Sequence, residues 1–269
     1  MAKERSAEIG IFGGSGFYSF ADGTIDEVWI DTPYGAPSDR IAICTVAGRQ
    51  VAFLPRHGRG HTLPPHAVNY RANLWAFYEL GVERVIAPSA VGSLRADIHP
   101  GTFVVNDQFI DRTSGRVDTF YDGPVVTHVS TAEPYCPHLR ALAIESIARK
   151  EIALRETGTV VVIQGPRFST KAESLWFSRM GWDIVNMTQY PEVTLARELG
   201  MCYVTVSLVT DYDAGVVGDG HEHVEAVNVV EVLARNTDNV KSVLRAMLER
   251  MPVERTCSCS KALDFARME

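Results

Sequence analysis

Long apolar runs are missing from this 269-residue chain. No stretch approaches the roughly 18 residues that a membrane-spanning helix needs. Met1-Ala2-Lys3-Glu4-Arg5 opens without the hydrophobic region of a signal peptide, so a cytoplasmic protein with no membrane partner is expected. Cysteine is scarce. Five cysteines are too few and too scattered for a secreted disulfide scaffold, and the odd count leaves at least one unpaired in a monomer. Positive charge is also short, with 26 basic against 33 acidic side chains and a net charge of −7. That balance argues against a nucleic-acid binder relying on an overall positive surface, though a local cationic pocket stays open. Low-complexity linkers, single-sign charge blocks and repeats at periods of roughly 20 to 50 residues are all absent, so one domain over residues 1–269 is expected.

What is present suits a sizeable core, with 46% apolar and 22% charged residues. Ile9 to Phe12 reads as a short strand running into Gly13-Gly14-Ser15-Gly16. Ile41 to Val46 and Val51 to Leu54 read as a hairpin whose second arm delivers Arg56 and His57. From there helices and strands alternate. A helix at His66 to Leu80 stops at Gly81, and a strand at Arg84 to Ala90 ends at Gly92. Helices follow at Leu139 to Lys150, Lys171 to Met180 and Glu192 to Leu199, with strands at Thr159 to Ile163, Ile184 to Met187 and Cys202 to Val209. A final helix carries Val229, Val232, Leu233, Val240, Val243, Leu244 and Met247 mainly on one face, which predicts a stripe packed on the sheet. The alternation gives the fold class as α/β.

Open α/β sheets gather ligands at the carboxyl ends of their strands, and the residues there are polar. Gly13-Gly14-Ser15-Gly16 matches neither the dinucleotide fingerprint nor the Walker pattern. It reads as a small-anion loop, with Ser15 adding a hydroxyl donor, or as a plain turn. Arg56-His57 offers a guanidinium fork able to hold two phosphate oxygens beside an imidazole donor; the alternative is a surface arginine with a loop-capping histidine. Ser89 and Thr188 add hydroxyls at two further strand ends. Asp211 and Asp213 stand two residues apart just after a strand, so extended geometry sends both to one side. They read as an acidic turn, as half of a metal site lacking further carboxylates, or as groups that accept from an exocyclic amine or share a proton with a ring nitrogen. Cys257 and Cys259 form a C-x-C without a second pair at zinc-finger spacing, which favours a terminal disulfide or two plain thiols over a metal.

Nine blocks in order carry a family resemblance: Gly-Gly-Ser-Gly at 13–16, Arg-His-Gly at 56–58, Asn-Tyr-Arg-Ala-Asn at 69–73, Ala-Val-Gly-Ser-Leu at 90–94, Asp-Gln-Phe-Ile-Asp-Arg-Thr at 107–113, Gln-Gly-Pro-Arg-Phe-Ser at 164–169, Asn-Met-Thr at 186–188, Pro-Glu at 191–192 and Thr-Asp-Tyr-Asp at 210–213. Across nearly the whole chain, from Ile9 to about Leu248, the sequence resembles the trimeric-type purine nucleoside phosphorylases, within them the 5′-methylthioadenosine phosphorylase branch. The resemblance implies a single-domain α/β/α sandwich with a twisted mixed central sheet. It implies phosphorolysis of S-methyl-5′-thioadenosine, with a broad or 6-oxopurine nucleoside phosphorylase as the alternative, and inorganic phosphate as co-substrate with no metal or organic cofactor. Phosphate-binding residues would be Ser15, Arg56, His57, Ser89, Ala90 and Thr188; nucleoside-binding residues would be Phe168, Ser169, Met187, Asp211, Asp213, Val229, Val232 and, across a subunit interface, His128. Asp211, Arg56 and His57 would carry the catalysis. Several relatives have threonine at Ser15 and Ser89, which keeps the hydroxyl, while Ala214 to Gly220 is longer than in some. A homotrimer or dimer of trimers is implied, as are disulfides at Cys257–Cys259 or Cys136–Cys202, as in some microbial relatives.

Overall fold

Residues alternate faces along a strand, and in the computed structural model of the protein this alternation sorts the core into two layers. The structure describes residues 7–13, 22–216, 226–264 and 266–267, with the side chains of 226–231 and 233–235 excepted. Strands β1 (Ile9–Phe12), β2 (Ile25–Val28), β3 (Ile41–Val46), β4 (Arg49–Leu54), β5 (Arg84–Ser93), β6 (Phe103–Val104), β7 (Gln108–Arg112), β8 (Leu154–Arg155), β9 (Thr159–Ile163), β10 (Ile184–Asn186) and β11 (Cys202–Tyr212) form one mixed sheet. Helices are α1 (Tyr70–Glu79), α2 (Pro137–Ala148), α3 (Lys171–Arg179), α4 (Gln189–Glu198) and α5 (Ala226–Arg250). Ile9, Ile11, Val51, Phe53 and Ile86 face α2 and α5, packing with Leu139, Ala143, Val243 and Met247. Their neighbours Phe12, Ala52, Leu54, Val85 and Ala87 face α1 and α4, packing with Leu74, Phe77, Val193 and Leu195. Helix α3 covers a third cluster through Phe177, against Val161, Ile163 and Val185. The architecture is therefore the α/β/α sandwich the resemblance implied.

Several boundaries differ from the sequence reading. Gly92 does not end its strand, because β5 continues to Ser93 and pairs with β10 there. β11 runs on to Tyr212, so Asp211 lies within the strand and not after it. The helix expected from His66 starts only at Tyr70: Pro65–Ala67 form a separate 3₁₀ turn, and the Asn69 side chain caps the α-helix by accepting from the Ala72 N–H. Strands β2, β6, β7 and β8 carry too little local signal to read, since β2 is mostly exposed and β6 and β8 are two residues each. The C-terminal stripe does reach the core, through Val240, Val243, Leu244 and Met247. No described helix is long and apolar enough to cross a membrane.

The cysteines depart from the implied disulfides. All five cysteines are unbonded to one another, so neither Cys257–Cys259 nor Cys136–Cys202 is joined; the Cys202 and Cys257 sulfurs, a different pair, stand 3.3 Å apart.

Candidate active site

The longest strand pairings decide where the sheet opens. β11 pairs in parallel with β5 along its whole length, from Arg84 to Ser93, and so occupies one edge of β5. On the other edge, β1 pairs only with Arg84–Ile86, and β10 pairs in the opposite direction with Gly92 and Ser93. Between these two partners, residues 87–91 have no strand on that edge among the described residues. Ser89 and Ala90 therefore sit where the sheet forks. The Pro88 carbonyl turns into the fork, meeting Arg56 Nη1 at 3.5 Å. The two-residue period of a strand directs the Ala90 backbone N–H the same way.

Arg56 follows β4 and is buried. Its Nε and Nη2 donate to the two carboxylate oxygens of Glu192 at 2.6 and 2.8 Å, and its guanidinium lies over the Phe12 ring, 4.6 Å from the centroid. Glu192, fully buried in α4, also accepts from the Tyr203 hydroxyl at 2.6 Å. Burial opposes the Arg56 charge, but Glu192 outweighs it and holds the guanidinium above its ordinary range. A guanidinium has five N–H donors in fixed geometry. The ion pair takes the Nε side and leaves the end-on edge, Nη1 with the second Nη2 proton, facing the fork. The fork of donors expected from the sequence is thus turned: one side holds a carboxylate that sequence reasoning quoted only as part of a motif.

His57 does not act as the expected imidazole donor. Its Nδ1 lies 2.8 Å from the Leu63 carbonyl, which can only accept, so Nδ1 carries the proton. Burial, then the Arg56 charge, push the ring down to about 4, and a neutral ring protonated at Nδ1 presents Nε2 as an acceptor. Thr188 is buried at the N-terminus of α4, with its hydroxyl uncommitted to capping the helix. The Ser89 hydroxyl lies 3.5 Å from that of Ser207, which joins a buried network: Ser207 donates to Asn106 Oδ1 at 2.7 Å, and Gln189 Nε2 donates to Ser207 at 3.1 Å. These partners had no sequence signal, because they come from a loop, a helix and a strand far apart in the chain. Ser15, with Gly14 and Gly16, lies outside the described residues, while Gly13 donates its N–H to the Leu54 carbonyl at 3.0 Å.

Three residues beyond Ser89 along β5, Gly92 marks the second half of the site. A Cβ on Gly92 would stand 3.2 Å from Asp211 Oδ2 and 3.6 Å from Asp213 Cβ, so both side chains lie beside Gly92. The β11 register shifts between Val209 and Asp211, a bulge that re-aims the strand end next to the fork. Asp211 Oδ1 accepts from the Thr210 hydroxyl at 2.6 Å. Burial raises the Asp211 carboxyl to about 6, helped by the charge of Asp213 and opposed by that hydrogen bond. Burial also raises Asp213. Asp213 Oδ2 and Ser169 Oγ are buried without a hydrogen bond of full geometry among the described residues, although the nearby Ser174 and Ser169 hydroxyls oppose the rise of the Asp213 carboxyl. Such orphaned atoms are costly in a folded protein unless something else completes them.

The loop after β9 brings Phe168, which is exposed, beside Ser169. It reaches Met187 through Gly165, whose φ of +63° suits glycine and whose missing side chain lets Met187 Sδ approach to 2.7 Å of where a Cβ would stand. Val232 is partly buried in α5, whereas the Val229 side chain, residues 217–220 of the glycine-rich stretch, His221 and His223 lie outside the described residues. His128 is exposed on the segment between β7 and α2, its N–H donating to the Ala266 carbonyl at 2.7 Å. The fold thus gathers Arg56, His57, Ser89, Ala90 and Thr188 at one end and Ser169, Asp211 and Asp213 at the other, and leaves His128 on the surface.

Comparison with known proteins places the chain among relatives. The profile of the phosphorylase superfamily matches residues 8–249. The chain is 54% identical to the S-methyl-5′-thioadenosine phosphorylase of Thermofilum pendens, over 97% of this chain and 99% of the relative. It is 52% identical to the purine nucleoside phosphorylase of Streptomyces coelicolor, over 98% and 96%. Among solved structures, a methylthioadenosine phosphorylase from an antarctic soil metagenomic library superposes with a TM-score of 0.92 at 40% identity, covering 98% of this chain and 93% of that one. A mutant adenosine/methylthioadenosine phosphorylase of Schistosoma mansoni, in complex with adenine, gives 0.90 at 37% identity over 97% and 99%.

Proposed function

The chain belongs to the phosphorylase superfamily, and on that premise we propose that it cleaves S-methyl-5′-thioadenosine with phosphate, giving adenine and 5-methylthioribose 1-phosphate. The forked edge of β5 carries the reading, since it offers anion donors at Ser89 and Ala90 and, beside Gly92, the half-buried Asp211 and the buried Asp213. Three strand residues span about 10 Å, room for a ribose between a phosphate and a purine.

Cleavage breaks the C1′–N9 bond as a phosphate oxygen bonds to C1′; positive charge develops on the sugar and negative charge on the base. The end-on edge of Arg56, the Ala90 N–H, and the Ser15, Ser89 and Thr188 hydroxyls hold the phosphate. His57 Nε2 accepts from a protonated phosphate oxygen, which turns an ionised oxygen toward C1′. Met187 packs under the ribose and Phe168 stacks on the base. Ser169 and Asp213 complete their unpaired atoms on the purine edge. Asp211 shares a proton with N7 of the departing base; at pH 7 a carboxyl titrating near 6 keeps roughly a tenth of its population protonated, which suits a group that both accepts and returns a proton.

Val229 and Val232 form the wall for the 5′ substituent. Burying a methyl and a sulfur there is worth ~1–2 kcal/mol, a ~5- to 30-fold preference for methylthioadenosine over adenosine. The exposed His128 completes the site of a neighbouring subunit in a homotrimer or dimer of trimers. The chain works as one cytoplasmic phosphorylase domain, with phosphate as co-substrate and no organic cofactor.

The test is product release from methylthioadenosine, methylthioinosine, adenosine and inosine, each with and without phosphate. Turnover should require phosphate and be highest in kcat/KM on methylthioadenosine. Equal efficiency on methylthioadenosine and adenosine would move the reading to a broad purine nucleoside phosphorylase; the Streptomyces coelicolor relative is named a purine nucleoside phosphorylase. Phosphate-independent turnover would make the protein a hydrolase.

A further inference from the structure

Four of the five cysteines, far apart in the chain, converge on one point at the opposite end of β11 from Asp211. Cys136 is the N-cap of α2, Cys202 is the first residue of β11, and Cys257 and Cys259 lie on the segment after α5. Their four sulfurs all lie within 4.8 Å of one another. We propose that Cys136, Cys202, Cys257 and Cys259 bind one zinc ion as a structural tetrathiolate site.

Geometry supports this. Zinc–sulfur bonds of about 2.3 Å in a tetrahedron put the sulfurs about 3.8 Å apart, inside the span the four thiols already occupy. The Cys202–Cys257 separation of 3.3 Å needs to open by only about half an ångström to reach that edge length. The backbone is in place without the ion: the Cys136 N–H donates to the Tyr203 carbonyl at 2.8 Å, and the Cys202 N–H to the Glu83 carbonyl at 2.9 Å.

Chemistry points the same way. Cys136, Cys202 and Cys259 belong to the apolar core cluster beneath α2 and α5, and Cys257 packs against it. An exclusively sulfur donor set in a tetrahedral arrangement selects a soft divalent cation over magnesium or calcium. Cys136 stands at the positive end of the α2 dipole, where a thiolate is favoured. Binding replaces four S–H bonds with four Zn–S bonds and releases four protons to solvent, with no change of oxidation state. C-x-C alone lacks a second pair at finger spacing in the sequence; the fold supplies that pair from α2 and β11.

The ion would fasten the C-terminal segment to the sheet. That segment is already held by Arg255 Nη1, which donates to the Gly200 and Glu83 carbonyls at 2.9 and 3.2 Å, and by Thr256, whose hydroxyl lies 3.2 Å from His138 Nδ1 on α2. It ends in a bridge between Arg267 and Thr127, next to His128.

The experiment uses the full chain, reduced, stripped of metal by a chelator and reloaded separately with zinc and with cobalt(II). Elemental analysis after desalting should give one zinc per chain, and the cobalt form should show the intense visible absorption of a tetrahedral thiolate centre. Cys257→Ser with Cys259→Ser, and Cys136→Ser alone, should drop metal content to below about a tenth of an ion per chain, while Cys44→Ser keeps it. Zinc should raise the Tm of the parent chain and not of the serine variants. Zinc-loaded protein with less than a tenth of an ion per chain and no cobalt spectrum overturns the proposal without any variant. So does purification without reductant that gives an intact mass lighter by two or four hydrogens and a chain that takes no metal after reduction, which would assign the thiols to disulfides. Iron in place of zinc overturns the choice of metal.

Discussion

Arg56 and Glu192 make a buried, bidentate ion pair, so neither side chain can be removed without stranding the other's charge. Arg56→Ala should therefore weaken phosphate use and also lower unfolding stability by ~3–5 kcal/mol, readable in denaturant melts beside phosphate kinetics. Glu192→Gln should destabilise similarly and raise the KM for phosphate, because the end-on edge of Arg56 is aimed by its other side; an unchanged phosphate KM would show that the pair is structural only. Asp211 makes a different prediction. Its folded carboxyl titrates near 6 against about 3.8 unfolded, so the folded state binds the extra proton and stability falls as pH rises from about 4 to 6, then levels off. Asp211→Asn removes that loss, so the variant should be more stable than the parent at pH 7.5, by about 2–3 kcal/mol, while losing about 10²-fold or more in methylthioadenosine turnover. It should also raise inosine relative to adenosine turnover, since an amide can donate to O6. A variant that melts like the parent across pH 4–8 would show that Asp211 is not the buried acid assigned here. Arg56 and Asp211 were legible as residues; Glu192 was not legible as a partner, because 136 positions separate it from Arg56 and only α4 brings it back.

Glycines join the elements of the site. At Gly165, alanine meets both a φ of +63° and Met187 Sδ at 2.7 Å, so Gly165→Ala should displace Met187 and raise the nucleoside KM while phosphate KM changes little. At Gly92 the backbone is ordinary but a methyl would stand 3.1 Å from Val185 Cγ1 and 3.2 Å from Asp211 Oδ2. Gly92→Ala should lower kcat more than it lowers Tm, and a variant with parental kcat would place Asp211 away from the reaction. A short run of apolar residues marks β1, β3, β4, β9 and the core of β11, since a strand covered on both faces by different layers is apolar at nearly every position. It did not locate the end of β5 or of β11. Ser89, Ser93 and Thr210 interrupt the apolar pattern toward the ends of these strands, and the pairing with β10 that extends β5 depends on a strand some 90 residues away.

Assembly is the question at the scale of the whole molecule. His128 is exposed, its backbone pinned to the C-terminal segment, and separate in the sequence from the other site residues. If it completes a neighbour's site, mixing an inactive Arg56 variant with an inactive His128 variant under subunit exchange should restore part of the activity through hybrid sites. An active monomer that loses activity on His128→Ala would place the residue in its own subunit's site instead.

Helices α1 to α5, strands β1, β3, β4, β5, β9, β10 and β11 in their order, and the chemical identity of the anion and carboxylate residues were written in the chain, because each depends on neighbours within a few positions. The fork in the sheet between β1 and β10, the Glu192 carboxylate behind Arg56, the acceptor face of His57 and the meeting of Cys136 and Cys202 with Cys257 and Cys259 were decided only by the tertiary structure. Each of these joins segments far apart in sequence, and the burial that sets their charge and protonation exists only once the layers have closed over them.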